Sequence, residues 1–123
     1  MAKQKIAIVT GAGTGVGKSA SVALNEAGWT VVLAGRREAL LAEVKSQLSH
    51  PGQALVVPTD VANPDSVVHL FDSTVKAFGR VDLLFNNAGV SAPPVPIDEL
   101  SIEQWKQVVD INLNGMFYCL RQA

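Results

Sequence analysis

The sequence holds a single cysteine, Cys119, so no intramolecular disulfide can form. That suits a reducing, cytoplasmic setting. No stretch approaches the ~20 apolar residues of a membrane span. The N-terminal MAKQKIAIVTGAG has an apolar run too short for the hydrophobic region of a signal peptide. Charge of one sign is missing as well: ten Lys and Arg stand against eleven Asp and Glu, a formal net charge of −1. Without a basic or acidic excess there is no electrostatic reason to expect nucleic acid or an anionic membrane as a partner. The two histidines, His50 and His69, are isolated, and no cluster has metal-ligand spacing. Internal repeats and low-complexity tracts are absent.

What is present is enough for one small domain: 123 residues, of which 48% are hydrophobic. The pattern alternates strand and helix. KIAIVT (5–10) is a short apolar run before glycines and reads as a buried strand. From Gly15 onward Val16, Ala20, Ala23, Leu24 and Ala27 recur at helical spacing, with Gly28 as the stop. WTVVLAG (29–35) is continuous and β-branched, as a strand covered on both faces should be. Residues 37–49 place Leu41, Val44 and Leu48 on one helical stripe that His50-Pro51-Gly52 breaks. QALVVPT (53–59) is a third strand.

Asn63-Pro64 reads as an N-cap followed by proline at the first helical position. Val67, Leu70, Phe71, Val75 and Phe78 form the next stripe, with His69 on its solvated side, and Gly79 ends it. VDLLFN (81–86) is a fourth strand. SAPPVPID (91–98) has loop composition. Ser101 and Gln104 fit a capping box, and a helix follows through Trp105, Val108, Val109, Asn112, Met116 and Leu120. Strand-helix units repeated four times predict an α/β fold: a doubly wound parallel sheet, Rossmann-like, with helices on both faces.

The first strand runs into TGAGTGVGKS (10–19). The dinucleotide pattern G-x-G-x-x-G fails from Gly11 because position 16 is Val16, and from Gly13 because position 18 is Lys18. The phosphate loop G-x-x-x-x-G-K-[ST] fails because position 12 is Ala12. The spacing that fits is T-G-x-x-x-G-x-G, with Thr10, Gly11, Gly15 and Gly17. Glycine lets the backbone turn sharply and approach a pyrophosphate with no Cβ in the way. The helix that follows directs free N–H groups and its positive end at the phosphates. Asp60-Val61 and NNAG (86–89) fall at the ends of the third and fourth strands, the edge where open α/β sheets bind ligands.

TGAGTGVG, the DV at 60–61, NNAG at 86–89 and the Asn112 of INLNG stand together in one order, and in them the sequence resembles the short-chain dehydrogenase/reductase family. The resemblance covers essentially the whole chain but only the N-terminal half of the family's usual domain. It implies an oxidoreductase that moves a hydride between a nicotinamide dinucleotide and an alcohol or carbonyl. It also implies that Gly11, Gly15 and Gly17 approach the cofactor phosphates, with Thr14 and Val16 as further cofactor-binding residues of the same turn. Asp60 would accept from the adenine amino group, and the backbone of Val61 would support the ring. Asn86 would tie neighbouring strands together, and Asn87, Ala88 and Gly89 would form the floor beneath the ribose and nicotinamide.

At the end of the second strand stands Gly35, followed by Arg36 and Arg37. A free ribose 2′-OH is usually held here by an acid, whereas a 2′-phosphate is accommodated by arginine. The pair favours NADP over NAD; the plainer alternative is a solvated helix start with Glu38 as ion-pair partner. The family's catalytic set is an Asn, a Ser, and a Tyr and Lys spaced Y-x-x-x-K. Only the Asn is matched, by Asn112. Read without the resemblance, Asn112 is a satisfied core residue on the stripe between Val109 and Met116. Tyr118, the only tyrosine, would need Lys at 122 and has Gln122. Ser91 and Ser101 precede the expected serine strand.

The expectation is therefore that residues 1–123 form the N-terminal, cofactor-binding part of a single Rossmann-type domain, cut after about four strand-helix units and inactive alone. Its small alcohol or carbonyl substrate would belong to the full-length parent. The alternatives are a non-catalytic dinucleotide-binding or assembly module and, more weakly, a methyltransferase, which would want an acid where Arg36-Arg37 stands. The fourth strand would be an unpaired edge. Trp105, Val109, Met116, Phe117 and Leu120 would leave an apolar face, so the chain is expected to form a homo-oligomer.

Overall fold

In a computed structural model of the chain, residues 4–89 and 96–123 are described. Most of the SAPPVPID segment, Ser91 included, lies outside them. Four strands, β1 (Ile6–Thr10), β2 (Thr30–Gly35), β3 (Ala54–Pro58) and β4 (Leu83–Phe85), form one parallel sheet in the order β3-β2-β1-β4. Their connections are the helices α1 (Gly15–Glu26), α2 (Glu38–Gln47) and α3 (Pro64–Phe78). A last helical stretch comprises α4 (Ile102–Val109), a π turn over Asp110–Asn114, and α5 (Gly115–Gln122).

The alternating side chains of the strands build a core on each face. Ile6, Ile8, Val32, Ala34 and Val57 pack with Val67, Leu70 and Phe71 of α3 and with Ile111 and Cys119. Ala7, Val9, Val31 and Leu33 pack on the other side with Leu41, Val44 and Leu48. β1 and β2 are covered on both faces, which is why they carry almost no polar residue.

The helix boundaries follow their signals. Asn63 Oδ1 accepts from the N–H groups of Asp65 and Ser66 at the start of α3. Gly79 closes α3 in the left-handed conformation, φ +83°. Ser101 and Gln104 form the reciprocal capping box that opens α4. His69 is exposed, as expected.

Three expected helix faces are corrected. α1 buries Gly17, Ser21 and Asn25, with Leu24 of the expected stripe packed against the core at its edge, whereas Val16, Ala23 and Ala27 are exposed. It lies so close to the strand ends that only small or internally bonded side chains fit. Ser21 Oγ donates to the Gly17 carbonyl (2.8 Å), and the Asn25 side chain binds the backbone of His50 through both its oxygen (2.8 Å) and its nitrogen (3.1 Å). The alanine-rich stripe instead faces Leu83, Leu84 and Phe85 across an open apolar groove of about 450 Å³. In α3 Val75 is 51% exposed and Thr74 is buried in its place, its hydroxyl donating to the Leu70 carbonyl. In the last helical stretch the inward residues are Ile111, Gly115 and Cys119, while Trp105 (58%), Met116 and Leu120 (59%) are exposed. The π turn inserts one residue into the helical count, so the single stripe read from the sequence breaks at Asp110.

β4 is shorter than the expected 81–86 because side chains end its ladder at both ends. Asp82 Oδ2 accepts from the Ile6 N–H (2.8 Å), held there by its ion pair with Arg80. At the far end Thr10 takes the next two backbone donors.

Candidate functional site

The site is built where the carboxyl ends of the strands stop. Thr10, fully buried, ends β1. Its Oγ1 accepts from the N–H groups of Asn87 (2.9 Å) and Ala88 (3.0 Å) and donates to the Phe85 carbonyl (3.4 Å). A hydroxyl has one donor and two acceptor positions, and here all three join the first strand to the segment leaving the fourth.

The chain then turns sharply. Gly11 has φ +66° and Gly15 φ +54°, both in the region that favours glycine. The third glycine acts by size. A Cβ on Gly17 would stand 2.1 Å from the Gly11 carbonyl oxygen and 2.8 Å from Asn87 Nδ2. The turn is thus folded back on α1 and braced from behind by Asn87. The Ala12 N–H, bonded to the Ala34 carbonyl (3.2 Å), ties the same turn to the end of β2.

The second and third strand ends come next. A Cβ on Gly35 would meet Leu41 at 3.3 Å, and the Gly35 carbonyl accepts from the Thr59 N–H (2.7 Å). Arg36 and Arg37 leave this point exposed to solvent. Among the described residues the one ion pair is Arg80–Asp82, so the exposed arginines at the start of α2 are not paired with Glu38. Arg37 occupies the N-cap position of α2 with no side-chain cap. Asp60 Oδ1 accepts from the Ala62 N–H (3.0 Å), and the Asp60 N–H donates to Ser66 Oγ (2.9 Å). Val61 is buried against Gly115, where a Cβ would fall 2.7 Å from Val61 Cγ2.

These pieces enclose a cleft of about 350 Å³. From the expected set, Gly11, Thr14, Arg36 and Arg37 line it on one side. Asp60, Val61, Ala88 and Gly89 line it on the other. Gly15, Val16, Gly17, Asn86, Asn87 and Asn112 do not line it. Gly17 and Asn87 stand behind its wall, and the Val16 side chain is 66% exposed.

Asn86 Nδ2 donates to the Met116 carbonyl (2.9 Å), fastening the end of β4 to α5, while Thr10 bonds the end of β1 to the segment after β4. Asn112 is half-buried beneath the floor, its Oδ1 3.1 Å from where a Cβ of Gly89 would stand. Gly89 therefore keeps this contact close.

The cleft also uses residues that the sequence reading did not single out: Gly13, Gly35, Leu40, Leu41, Thr59 and Ile111. Leu41 carried only a helix-packing signal and Leu40 none, and Ile111 lies within the π turn. Cys119 contributes no chemistry: burial pushes its thiol up to about 11, where it stays protonated. Among the described residues no group of three His, Cys, Asp or Glu side chains could hold a metal ion, and no helix is long and apolar enough to cross a membrane.

A glycine turn feeding a helix N-terminus, opening onto a cleft at the carboxyl ends of the strands, fits the pyrophosphate of a dinucleotide. Gly11, Gly17 and Gly89 are positions where a Cβ would press on the turn or the floor. Comparison with known proteins agrees. The short chain dehydrogenase family matches residues 5–123. An uncharacterized oxidoreductase of Staphylococcus aureus strain MW2 is 39% identical over 119 residues, covering 97% of this chain and 51% of that protein.

The solved structure of a 3-ketoacyl-(acyl-carrier-protein) reductase from Brucella melitensis, complexed with NADH, superposes with a TM-score of 0.91 at 28% identity. It covers 98% of this chain and 48% of that one. An actinorhodin polyketide ketoreductase solved with NADPH gives 0.91 at 33% identity, over 99% and 48%. The chain thus spans about half the length of the relatives it matches.

Proposed function

The chain belongs to the short-chain dehydrogenase family, and from that premise we propose that it is the dinucleotide-binding half of an NADP-dependent oxidoreductase acting on an alcohol or carbonyl. The observation that carries the reading is the single cleft shared by the glycine turn, Arg36-Arg37, Asp60-Val61 and Ala88-Gly89. When bound, the nicotinamide cofactor supplies or accepts the hydride.

The chain's own residues do the holding. The turn from Gly11 to Gly17 offers the pyrophosphate close approach to the backbone and the uncompensated N–H groups at the start of α1. Asp60 and the Val61 backbone select the adenine. Arg36 and Arg37, with no carboxylate partner, are available to a 2′-phosphate, and guanidinium groups pair with phosphate in a bidentate geometry. Asn112 lies beneath Gly89 and serves to order a water in the proton relay of the complete enzyme. The sequence matches no other member of the family's catalytic set, because Tyr118 is followed by Gln122 where Lys is required. This chain alone binds cofactor and does not turn over.

The test is a fluorescence titration of the purified chain with NADPH and with NADH, repeated with Arg36→Asp. NADPH should bind more tightly than NADH, and the substitution should weaken NADPH at least tenfold while leaving NADH within about twofold, as expected for loss of a charge-assisted contact. Equal losses for both would remove the NADP assignment. Absence of binding by a folded chain would remove the half-site reading.

A further inference from the structure

The last helical stretch is pinned at both ends. Its start is set by the Ser101–Gln104 capping box. Its second part is set by Gly115 pressed on Val61, by buried Cys119 and by the Asn86 bond to the Met116 carbonyl. Between these anchors the chain holds one residue more than a regular helix would use. The surplus is taken up as the π turn over Asp110–Asn114, in which the Gly115 N–H donates to the Asp110 carbonyl, five residues back. Such turns are rare and appear mostly as single bulges inside α-helices. Something has to fix the surplus here.

The first and last residues of the turn are joined through their side chains: Asn114 Nδ2 donates to Asp110 Oδ1 at 3.0 Å. The widened turn carries two residues of the site: Ile111 is buried and lines the cleft, and Asn112 abuts Gly89 beneath it.

We propose that Asp110 and Asn114 are positioning residues whose side-chain bond locks the helical surplus at this turn and so holds Ile111 at the wall of the dinucleotide cleft and Asn112 beneath its floor at Gly89. The link to cofactor binding rests on the function proposed above; the link to the turn does not. Without the clasp the surplus migrates to a neighbouring turn. The fold survives, and Asn112 rotates away from Gly89.

The experiment compares the wild-type chain with Asp110→Ala, Asn114→Ala and the exchanged pair Asp110→Asn/Asn114→Asp, which can re-form the bond with donor and acceptor reversed. Two readouts are taken: the NMR resonances of the Asn112 side-chain amide and the Gly89 backbone amide, and NADPH affinity by fluorescence. Both alanine variants should shift the Asn112 and Gly89 resonances and weaken NADPH about threefold to tenfold, the scale of one ordinary net hydrogen bond. The exchanged pair should restore both. Alanine variants whose two resonances stay in place, or an exchanged pair that behaves like them, would overturn the proposal. If no variant and not even the wild type binds NADPH, the function proposed above fails, and the resonances still decide the clasp. Should an alanine variant not fold, the exchanged pair decides: wild-type resonances support the clasp and displaced ones refute it.

Discussion

Thr10 does more than any glycine to define the site, because one hydroxyl fixes where two distant segments meet. Thr10→Val keeps the shape and removes the acceptor. The Ala88 N–H then loses the Thr10 acceptor, and the substitution should cost about 1–3 kcal/mol. Urea unfolding should show that loss, with Thr10→Ser close to wild type and NADPH binding weaker in the valine variant. The glycines were legible in the sequence because their spacing reports backbone need directly. Gly17 is an instance: a Cβ there has no room beside the Gly11 carbonyl. The role of Thr10 was not legible, because its partners Asn87 and Ala88 lie far along the chain. The bond from Asn86 to the Met116 carbonyl was hidden for the same reason, its acceptor lying far along the chain.

Whole elements were easier to read than their faces. β1 and β2 stood out most clearly because sheet residues covered on both sides must be apolar throughout. The caps at Asn63, Ser101 and Gly79 worked because each answers a specific unsatisfied backbone group. The inward face of α1 was hidden because Gly17, Ser21 and Asn25 carry no hydrophobic signal, and that of the last helical stretch because the π turn breaks the periodicity and Gly115 is small. Gly115 is the clearest of these. Gly115→Ala should destabilise by about 1–3 kcal/mol through overpacking on Val61. Adding Val61→Ala should recover part of that loss; thermal unfolding of the single and double variants measures it.

A second element-level prediction concerns the start of β4. The Arg80 guanidinium, then the Ile6 N–H, hold the Asp82 carboxyl below its ordinary value of 3.8. A carboxylate whose folded-state value is depressed adds stability that is complete above its unfolded value and lost as pH falls through its folded one. The urea midpoint of the wild type should therefore drop below about pH 4 more steeply than that of Asp82→Asn. Parallel curves for the two proteins would show that the interaction contributes nothing.

At the scale of the molecule, Ile102, Trp105, Leu113, Met116, Phe117 and Leu120 are exposed together along one helical stretch, and β4 has a sheet neighbour on one side only. Apolar surface of this kind favours association. Sedimentation velocity should show the chain shifting from monomer toward dimer with concentration, and Phe117→Glu should hold it monomeric. A concentration-independent monomer in the wild type would contradict this. The doubly wound architecture was legible from the alternation of elements, whereas the surfaces it leaves bare depend on which helix face turns inward.

The strand order has a kinetic consequence. β1 meets β2 after one short excursion, with Ile6 beside Thr30, but Ala7 must find Leu83, a loop about three times longer. Closing the longer loop costs roughly 1 kcal/mol more in chain entropy, and its return is a ladder of only three residues. The β1-α1-β2-α2-β3 portion should therefore form first and open last. The floor of the cleft arrives with the last strand to dock. A ligand that touches both Gly11 and Ala88 bridges the early and late parts of the fold, so its binding should slow the opening of β4 before that of any other strand.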